Sequence, residues 1–150
     1  MARSSAAGSA PDDLMRIRVG RRVIVARLEW RAAPQSCAAL TAVLPLRLSL
    51  LHARWSGECG WAPLADTPIQ VDRENLLRRP RPGQILLYAG AVSEPEILLP
   101  YGAAAFACKD GPLDGNHVAT VVKGVEHLPE IGRTLLWRGA RPVVFEAGGA

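Results

Sequence analysis

Two carboxylates flank a proline in the middle of the chain, in the run Glu94-Pro95-Glu96. Alternate residues of an extended chain point to the same side, so both carboxylates can face one surface. Such a pair could share a proton or bind a cation, whereas the alternative is a polar strand edge. Ser93 and Tyr101 could supply hydrogen bonds near the same place. The residue types therefore make this segment a candidate ligand site.

A third carboxylate, Glu58, lies between Trp55 and Trp61. Burial in an aromatic pocket would raise the pKa of this carboxyl and suit it to acid–base catalysis. The alternative is a solvated loop acid beside two tryptophans that pack elsewhere. Tyr88, one of only two tyrosines, could line a ligand pocket through its aromatic ring and hydroxyl.

Two histidines occur where strands are expected to meet loops. His117 follows Asn116 after a glycine-containing loop, and it could act as a base or bind a ligand; the alternative is that it satisfies backbone groups at a strand start. His52 shares a strand face with Leu48 and Leu50, which is typical of a core or rim histidine. We expect one pocket near the ends of the strands that hold residues 51–55, 88, 96–101 and 116–117. The candidate ligand-binding residues are His52, Arg54, Trp55, Glu58, Tyr88, Glu94, Glu96, Tyr101, Asn116 and His117.

The composition excludes several classes of protein. The 150 residues are 49% hydrophobic and carry a net charge of +4, which suits one folded domain. Sixteen of the 18 basic residues are arginine. Because the arginines are scattered and not interleaved with aromatic residues, we expect no nucleic-acid partner. No apolar run has the length of a membrane-spanning helix, so no membrane partner is expected either.

The three cysteines, Cys37, Cys59 and Cys108, are far apart in the sequence. An odd number without close pairs does not fit a secreted disulfide framework, and no spacing indicates a zinc site. We therefore expect no metal, no cofactor and a reducing cytoplasmic location. Cys37 is expected in the core, and Cys59 is expected to be the exposed thiol.

The pattern of the chain predicts a β-rich domain. Residues 1–13, rich in Ala, Ser and Gly, predict a disordered tail before one domain at 14–150. A loop rich in Gly and Pro is predicted at 56–67. About eight short strands with one or two short helices over the ends indicate a mainly β sandwich or closed barrel. The predicted strands are 14–19, 22–31, 46–55, 84–88, 96–99, 103–109, 117–122 and 141–146, and the predicted helices are 33–44 and 126–137.

Recurring motifs lie at 82–88, 93–102, 115–117 and 132–137. As a set they resemble a bacterial family of uncharacterised cyclophilin-like proteins, and the predicted helix start at 33–40 resembles the opening of cyclophilins. The resemblance spans most of residues 14–147 and implies a closed cyclophilin-like β-barrel with a surface cleft. The segment 51–55, with Arg54, holds a place similar to part of the cyclophilin active site, but the Phe-His-Arg and Gln-Gly-Gly runs of cyclophilins are absent, so we expect little or no prolyl isomerase activity.

Three functions remain open at this point. The first is binding of a small molecule or peptide in a surface cleft. The second is an enzyme that acts on amide bonds, either a small or cyclic amide hydrolase that uses His117 with Glu58 or Glu94, or a weak peptidyl-prolyl isomerase. The third is a structural subunit of a larger complex. Four tryptophans in a chain with only two Phe and two Tyr predict a homo-oligomer, most simply a dimer.

Overall fold

The computed structural model describes residues 13–67 and 69–149. The predicted tail at 1–13 lies outside the described residues except for Asp13. There are two α-helices, α1 (Pro34–Thr41) and α2 (Leu128–Arg138), and a 3-10 turn at Val125–His127. The strands are β1 (Leu14–Val19), β2 (Arg22–Leu28), β3 (Leu46–His52), β4 (Gly57–Pro63), β5 (Leu76–Leu77), β6 (Gln84–Tyr88), β7 (Glu96–Ala104), β8 (Ala107–Cys108), β9 (Gly111–Pro112), β10 (Gly115–Lys123) and β11 (Arg141–Ala147).

Eight of these strands close into an antiparallel barrel. The order around the sheet is β2-β1-β11-β3-β4-β7-β6-β10, and β10 pairs with β2 to complete the circle. The short β5 pairs with the start of β10, and β8 and β9 form a separate hairpin. The predicted fold class, a mainly β closed barrel of about eight strands with two short helices, is confirmed.

The first hairpin shows how alternation sets the barrel interior. Met15, Ile17 and Val19 of β1 are buried, whereas Arg18 is exposed, because side chains alternate between the two faces of a strand. Gly20 turns the chain at a φ of 59°, a conformation that favours glycine. The predicted strand 22–31 ends earlier, at Leu28, before the turn that leads into α1.

The helices are held by specific contacts with the barrel. Pro34 begins α1, and the backbone N–H and hydroxyl of Ser36 both donate to the Glu74 carboxylate. Helix α2 packs on β3, β4 and β7. A Cβ at Gly132 would lie 2.3 Å from the Tyr101 ring, so only glycine lets α2 pack this closely on that tyrosine.

Two predictions about the middle of the chain are wrong. The loop predicted at 56–67 contains strand β4, which pairs with β3 and β7. Its glycines serve packing, since a Cβ at Gly60 would meet Leu50 and Leu135 at 2.9–3.0 Å. The strand predicted at 96–99 continues through Pro100 to Ala104 as one long strand, β7, which includes the first two residues of the strand predicted at 103–109. The rest of that predicted strand contains only the two-residue β8.

Strands β4, β6 and β7 bury both of their faces. Their inner face, with Ile85, Leu87 and Ile97, belongs to the main barrel core. Their outer face forms a second, smaller cluster together with Phe106 and Leu113, which follow β7 in the chain. The outer-face members of this cluster are Cys59, Leu86, Tyr88 and Leu98. The segment from 105 to 114 therefore builds a small core on the outside of the barrel.

Candidate functional site

A cleft of about 320 Å³ lies beside this outer cluster. Three turns of the chain form its walls: residues 53–56 between β3 and β4, residues 92–96 where β7 begins, and residues 107–110 around the β8–β9 hairpin. The Ser56 hydroxyl joins two of these walls, because it donates to the Ala107 carbonyl and accepts the Ala107 N–H, both at 3.1 Å. The cleft is therefore built on a fixed frame.

Glu96 is the most buried ionisable group that lines the cleft. It is the first residue of β7, opposite Tyr88 of β6 and Pro63 of β4, and only 8% of it is exposed. Burial raises the pKa of this carboxyl to about 7, and the nearby charge of Glu94 adds to the effect. Among the described residues, no side-chain hydrogen bond or ion pair satisfies it. A carboxyl in this state can exchange a proton near neutral pH or accept a hydrogen bond from a ligand.

Charges of both signs and two aromatic rings surround Glu96. Arg54 and Lys109 line the same cleft as Glu94, yet no ion pair joins them within the part of the chain that the structure describes. Trp55, which is 56% exposed, and the half-buried Trp61 supply apolar surface. The cleft thus offers an acidic group, basic groups and an aromatic wall to one small ligand.

Tyr88 fixes the loop that carries the acidic wall. Its hydroxyl accepts the backbone N–H groups of Val92 at 3.0 Å and of Ser93 at 3.3 Å. Its ring packs edge to face on Phe106, with centroids 5.4 Å apart. Tyr88 itself lines a different depression, of about 350 Å³, which it shares with Asn116. Tyr88 therefore holds the cleft loop from the opposite side.

His52, Tyr101 and Glu58 form a second group, which does not line the cleft. His52 Nδ1 lies 2.9 Å from the Ala53 carbonyl, which can only accept, so in the neutral ring Nε2 accepts the Tyr101 hydroxyl at 2.7 Å. Burial raises the pKa of Tyr101, and the Glu58 charge adds to this. Of the two alternatives for Glu58, the structure has the solvated acid: the residue is exposed on β4 and accepts the Ala103 N–H at 2.9 Å.

His117 belongs to a hydrogen-bonded chain on the other side of the barrel. Thr120 donates to Glu29 at 2.8 Å and lies 2.8 Å from His117 Nε2, so this nitrogen carries the proton. Burial lowers the pKa of His117. Asn116, next to it, donates to the Ser36 hydroxyl and the Asp72 carbonyl. Asn116 thereby ties α1 and the segment before β5 to the barrel.

The ten candidate residues therefore do not share one pocket. Arg54, Trp55, Glu94 and Glu96 meet in the cleft, whereas the others lie in the places just described. The expected single pocket fails because β10, which carries Asn116 and His117, runs between β6 and β2 and not beside β4.

Sequence reasoning missed several residues that line the cleft. Among them are Trp61, Cys108, Lys109 and Asp110, and Cys108 and Lys109 belong to a segment that the pattern predicted as a plain strand. The expectation that Cys59 is the exposed thiol is also wrong. Cys59 is fully buried, and burial raises its pKa to about 12, whereas Cys108 is partly exposed. Cys37 lies in the core as predicted, and burial raises its pKa to about 12.

Two further observations concern the described residues as a whole. Within 13–67 and 69–149, no group of three or more His, Cys, Asp or Glu side chains is placed to hold a metal ion. The same part of the chain has no helix that is long and apolar enough to cross a membrane.

The fold and the cleft define the class: a closed eight-stranded antiparallel barrel with a ligand-sized cleft on its outer face. The chain belongs to the family described as "Protein of unknown function (DUF3830)", whose profile matches residues 16–147. The sequence resemblance likewise implied a family of unknown function. No curated protein matches the sequence.

Two solved structures share this fold. McbB, solved in complex with tryptophan, is similar over 91% of this chain with a TM-score of 0.73 and 21% identity. The match covers 45% of McbB, so this chain spans less than half of that protein. The hypothetical protein AF2241 from Archaeoglobus fulgidus matches 95% of this chain and 99% of its own, with a TM-score of 0.62 and 16% identity. At these identities the likeness shows the fold alone.

Proposed function

We propose that this protein binds a small molecule in the cleft between residues 53–56, 92–96 and 107–110. The observation that carries the proposal is Glu96, a residue that is 8% exposed and whose carboxyl has no hydrogen-bond partner among the described residues. Its carboxyl oxygens are not sealed from solvent, but the residue lines the cleft from a largely desolvated position, where ionising the carboxyl is costly. A ligand that donates a hydrogen bond to Glu96 offsets this cost, which favours binding in the cleft.

The size and lining of the cleft support the same function. A volume of about 320 Å³ lies at the lower end of small-molecule pockets, which span roughly 300–1,000 Å³. Exposed aromatic surface at Trp55 is typical of a binding surface. McbB, whose structure contains tryptophan, supports only the view that a protein with this fold can hold a small ligand.

The test is ligand-induced thermal stabilisation in a metabolite screen with matched tryptophan variants. Trp55→Ala removes the aromatic wall of the cleft, whereas Trp137→Ala removes an 80% exposed tryptophan on α2, outside the cleft. We expect hits on the native protein to lose their stabilising effect in Trp55→Ala and to keep it in Trp137→Ala. Hits that survive Trp55→Ala unchanged would place binding elsewhere and reject the proposal.

Acid–base catalysis in the same cleft is the second candidate. It is favoured by the pKa of Glu96, about 7, since a group that titrates near the working pH can both accept and deliver a proton. Hydrolysis of a cyclic amide is the version to test, with a panel of small lactams and imides at pH 6–8. We expect any turnover to disappear in Glu96→Gln; turnover that persists in this variant would reject Glu96 as the catalytic group.

The structure gives less support to a histidine-based amide hydrolase. His117 is bonded to Thr120 and no histidine lines the cleft. A peptide ligand and prolyl isomerisation remain open alternatives at this cleft, since Arg54 is one of its lining residues.

A further inference from the structure

Charges of both signs line the cleft. Glu94 and Glu96 come from the start of β7 and the loop before it, Arg54 comes from the β3–β4 turn, and Lys109 and Asp110 come from the β8–β9 hairpin. Within the described residues, no ion pair joins any two of these five. Unpaired charges of opposite sign on different walls can each meet a complementary group of one ligand.

The buried member of the set selects for a hydrogen-bond donor. An ammonium group has three donors and no acceptor, and it would satisfy the Glu96 carboxylate with a charge-assisted bond. An anion that has no donor group cannot satisfy the ionised carboxylate. The cleft is lined by two basic residues, Arg54 and Lys109, and three acidic residues, Glu94, Glu96 and Asp110. It therefore has no excess of positive charge that would hold a multiply charged anion such as phosphate.

We infer that the cleft is selective for small zwitterions with an apolar body, whose ammonium group meets Glu96 and whose carboxylate faces Arg54 and Lys109. The apolar body then lies against Trp55 and Trp61. The volume of about 320 Å³ corresponds to roughly ten waters at about 30 Å³ each, which is enough for one aromatic amino-acid-sized molecule. This inference rests on the proposed binding function and names its ligand class.

Four probes with the same phenyl body separate the two charges. L-phenylalanine carries both an ammonium and a carboxylate group. Phenethylamine carries only the ammonium group, and 3-phenylpropionate carries only the carboxylate group. N-acetyl-L-phenylalaninamide is a peptide-like probe that carries neither charge. Titrations followed by ¹H–¹⁵N NMR report both the affinity and the site, through the indole N–H groups of Trp55 and Trp61. We expect L-phenylalanine to bind most tightly, the two singly charged probes more weakly, and the neutral probe most weakly.

Matched variants assign each charge to its wall. Glu96→Gln should weaken L-phenylalanine and phenethylamine about tenfold or more while 3-phenylpropionate is unaffected. Arg54→Gln should weaken L-phenylalanine and 3-phenylpropionate and spare phenethylamine. Glu126→Gln and Arg133→Gln make the same chemical changes at exposed positions outside the cleft and should change nothing.

The outcomes separate this inference from the binding function. If the neutral probe or 3-phenylpropionate binds in the cleft as tightly as L-phenylalanine, the zwitterion inference is overturned and small-molecule binding stands. If the neutral probe binds most tightly, a peptide becomes the better ligand. If none of the four probes perturbs the cleft resonances at millimolar concentration, the inference fails, and the proposed function then depends on the metabolite screen alone.

Discussion

Neighbouring residues of β7 face two different environments. The inner face contributes to stability, and the outer face borders the cleft proposed to bind ligand. Ile97 points into the barrel, where it packs with Leu87 and Ile85 in a wholly apolar core. Glu96 and Leu98 point outward, toward the small cluster around Phe106 and toward the cleft. The inner face is closed by the barrel itself, whereas the outer face is covered in part by the segment from 105 to 114. Polar groups are therefore tolerated outside, at the edge of that cover, where a ligand can reach them.

The inner face should give the largest loss of stability. Leu87→Ala removes a fully buried side chain from the barrel core, and such a truncation costs about 2–5 kcal/mol because it leaves a cavity. Urea denaturation measures the loss. At a temperature where Leu87→Ala is folded, we expect its affinity for the cleft probes to equal that of the native protein. A loss below about 1 kcal/mol, or a large loss of probe affinity, would show that the two faces are not independent.

Glu96 on the outer face should make the free energy of unfolding depend on pH, whereas the apolar inner face should not. Burial raises the pKa of Glu96 from 4.5 to about 7, so the folded protein holds this proton more tightly than the unfolded chain. Its contribution to stability is therefore present below pH 4.5 and is lost as the pH rises to about 7, by about 3 kcal/mol in total. Urea denaturation of native protein and Glu96→Gln from pH 4 to 8 measures this.

The Glu96→Gln variant should gain stability relative to the native protein over that window. Asp66→Asn, which removes a carboxylate at an exposed position outside the cleft, should follow the native curve. Parallel curves for native protein and Glu96→Gln would mean that Glu96 titrates alike in the folded and unfolded states, and the cleft would then lack its distinguishing group.

The smallest loss of stability is expected at Tyr88, which holds the loop before β7 on the outer face. Tyr88→Phe removes the hydroxyl that accepts the N–H groups of Val92 and Ser93, at a cost of about 1 kcal/mol. Hydrogen exchange of these two amides should accelerate, and probe affinity should fall because the acidic wall is released. Tyr101→Phe, which loses the bond to His52, is the control outside the cleft. Unchanged exchange of the Val92 and Ser93 amides would show that the Tyr88 hydroxyl does not hold this loop.

The sequence predicted the strands that have one buried face, because alternation marks them. β1 was predicted with its observed bounds. β4 and β7 were missed or divided because glycines and prolines, which otherwise indicate loops, interrupt them. β6 is also buried on both faces, but it is an unbroken apolar run and was predicted with its observed bounds. Local pattern cannot show that a chain segment will cover the outside of its own barrel.

The site could be predicted only in part for the same reason. Glu94 and Glu96 stood out because they interrupt an apolar run, and both line the cleft. Trp61 and Lys109 join them only through the pairing of β4 with β7 and the position of the β8–β9 hairpin. Those contacts join residues far apart in the chain, and a single sequence carries no signal for them.

The most direct test of Glu96 as the ligand-binding group of the cleft is an NMR titration of its side-chain carboxyl carbon, assigned by comparison with Glu96→Gln. We expect a midpoint at about 7 in the free protein. We expect a lower midpoint when L-phenylalanine is present, because an ammonium group stabilises the ionised carboxylate. A midpoint at 4.5, the ordinary value of the group, that L-phenylalanine leaves unchanged would show that Glu96 is neither perturbed by burial nor in contact with the ligand.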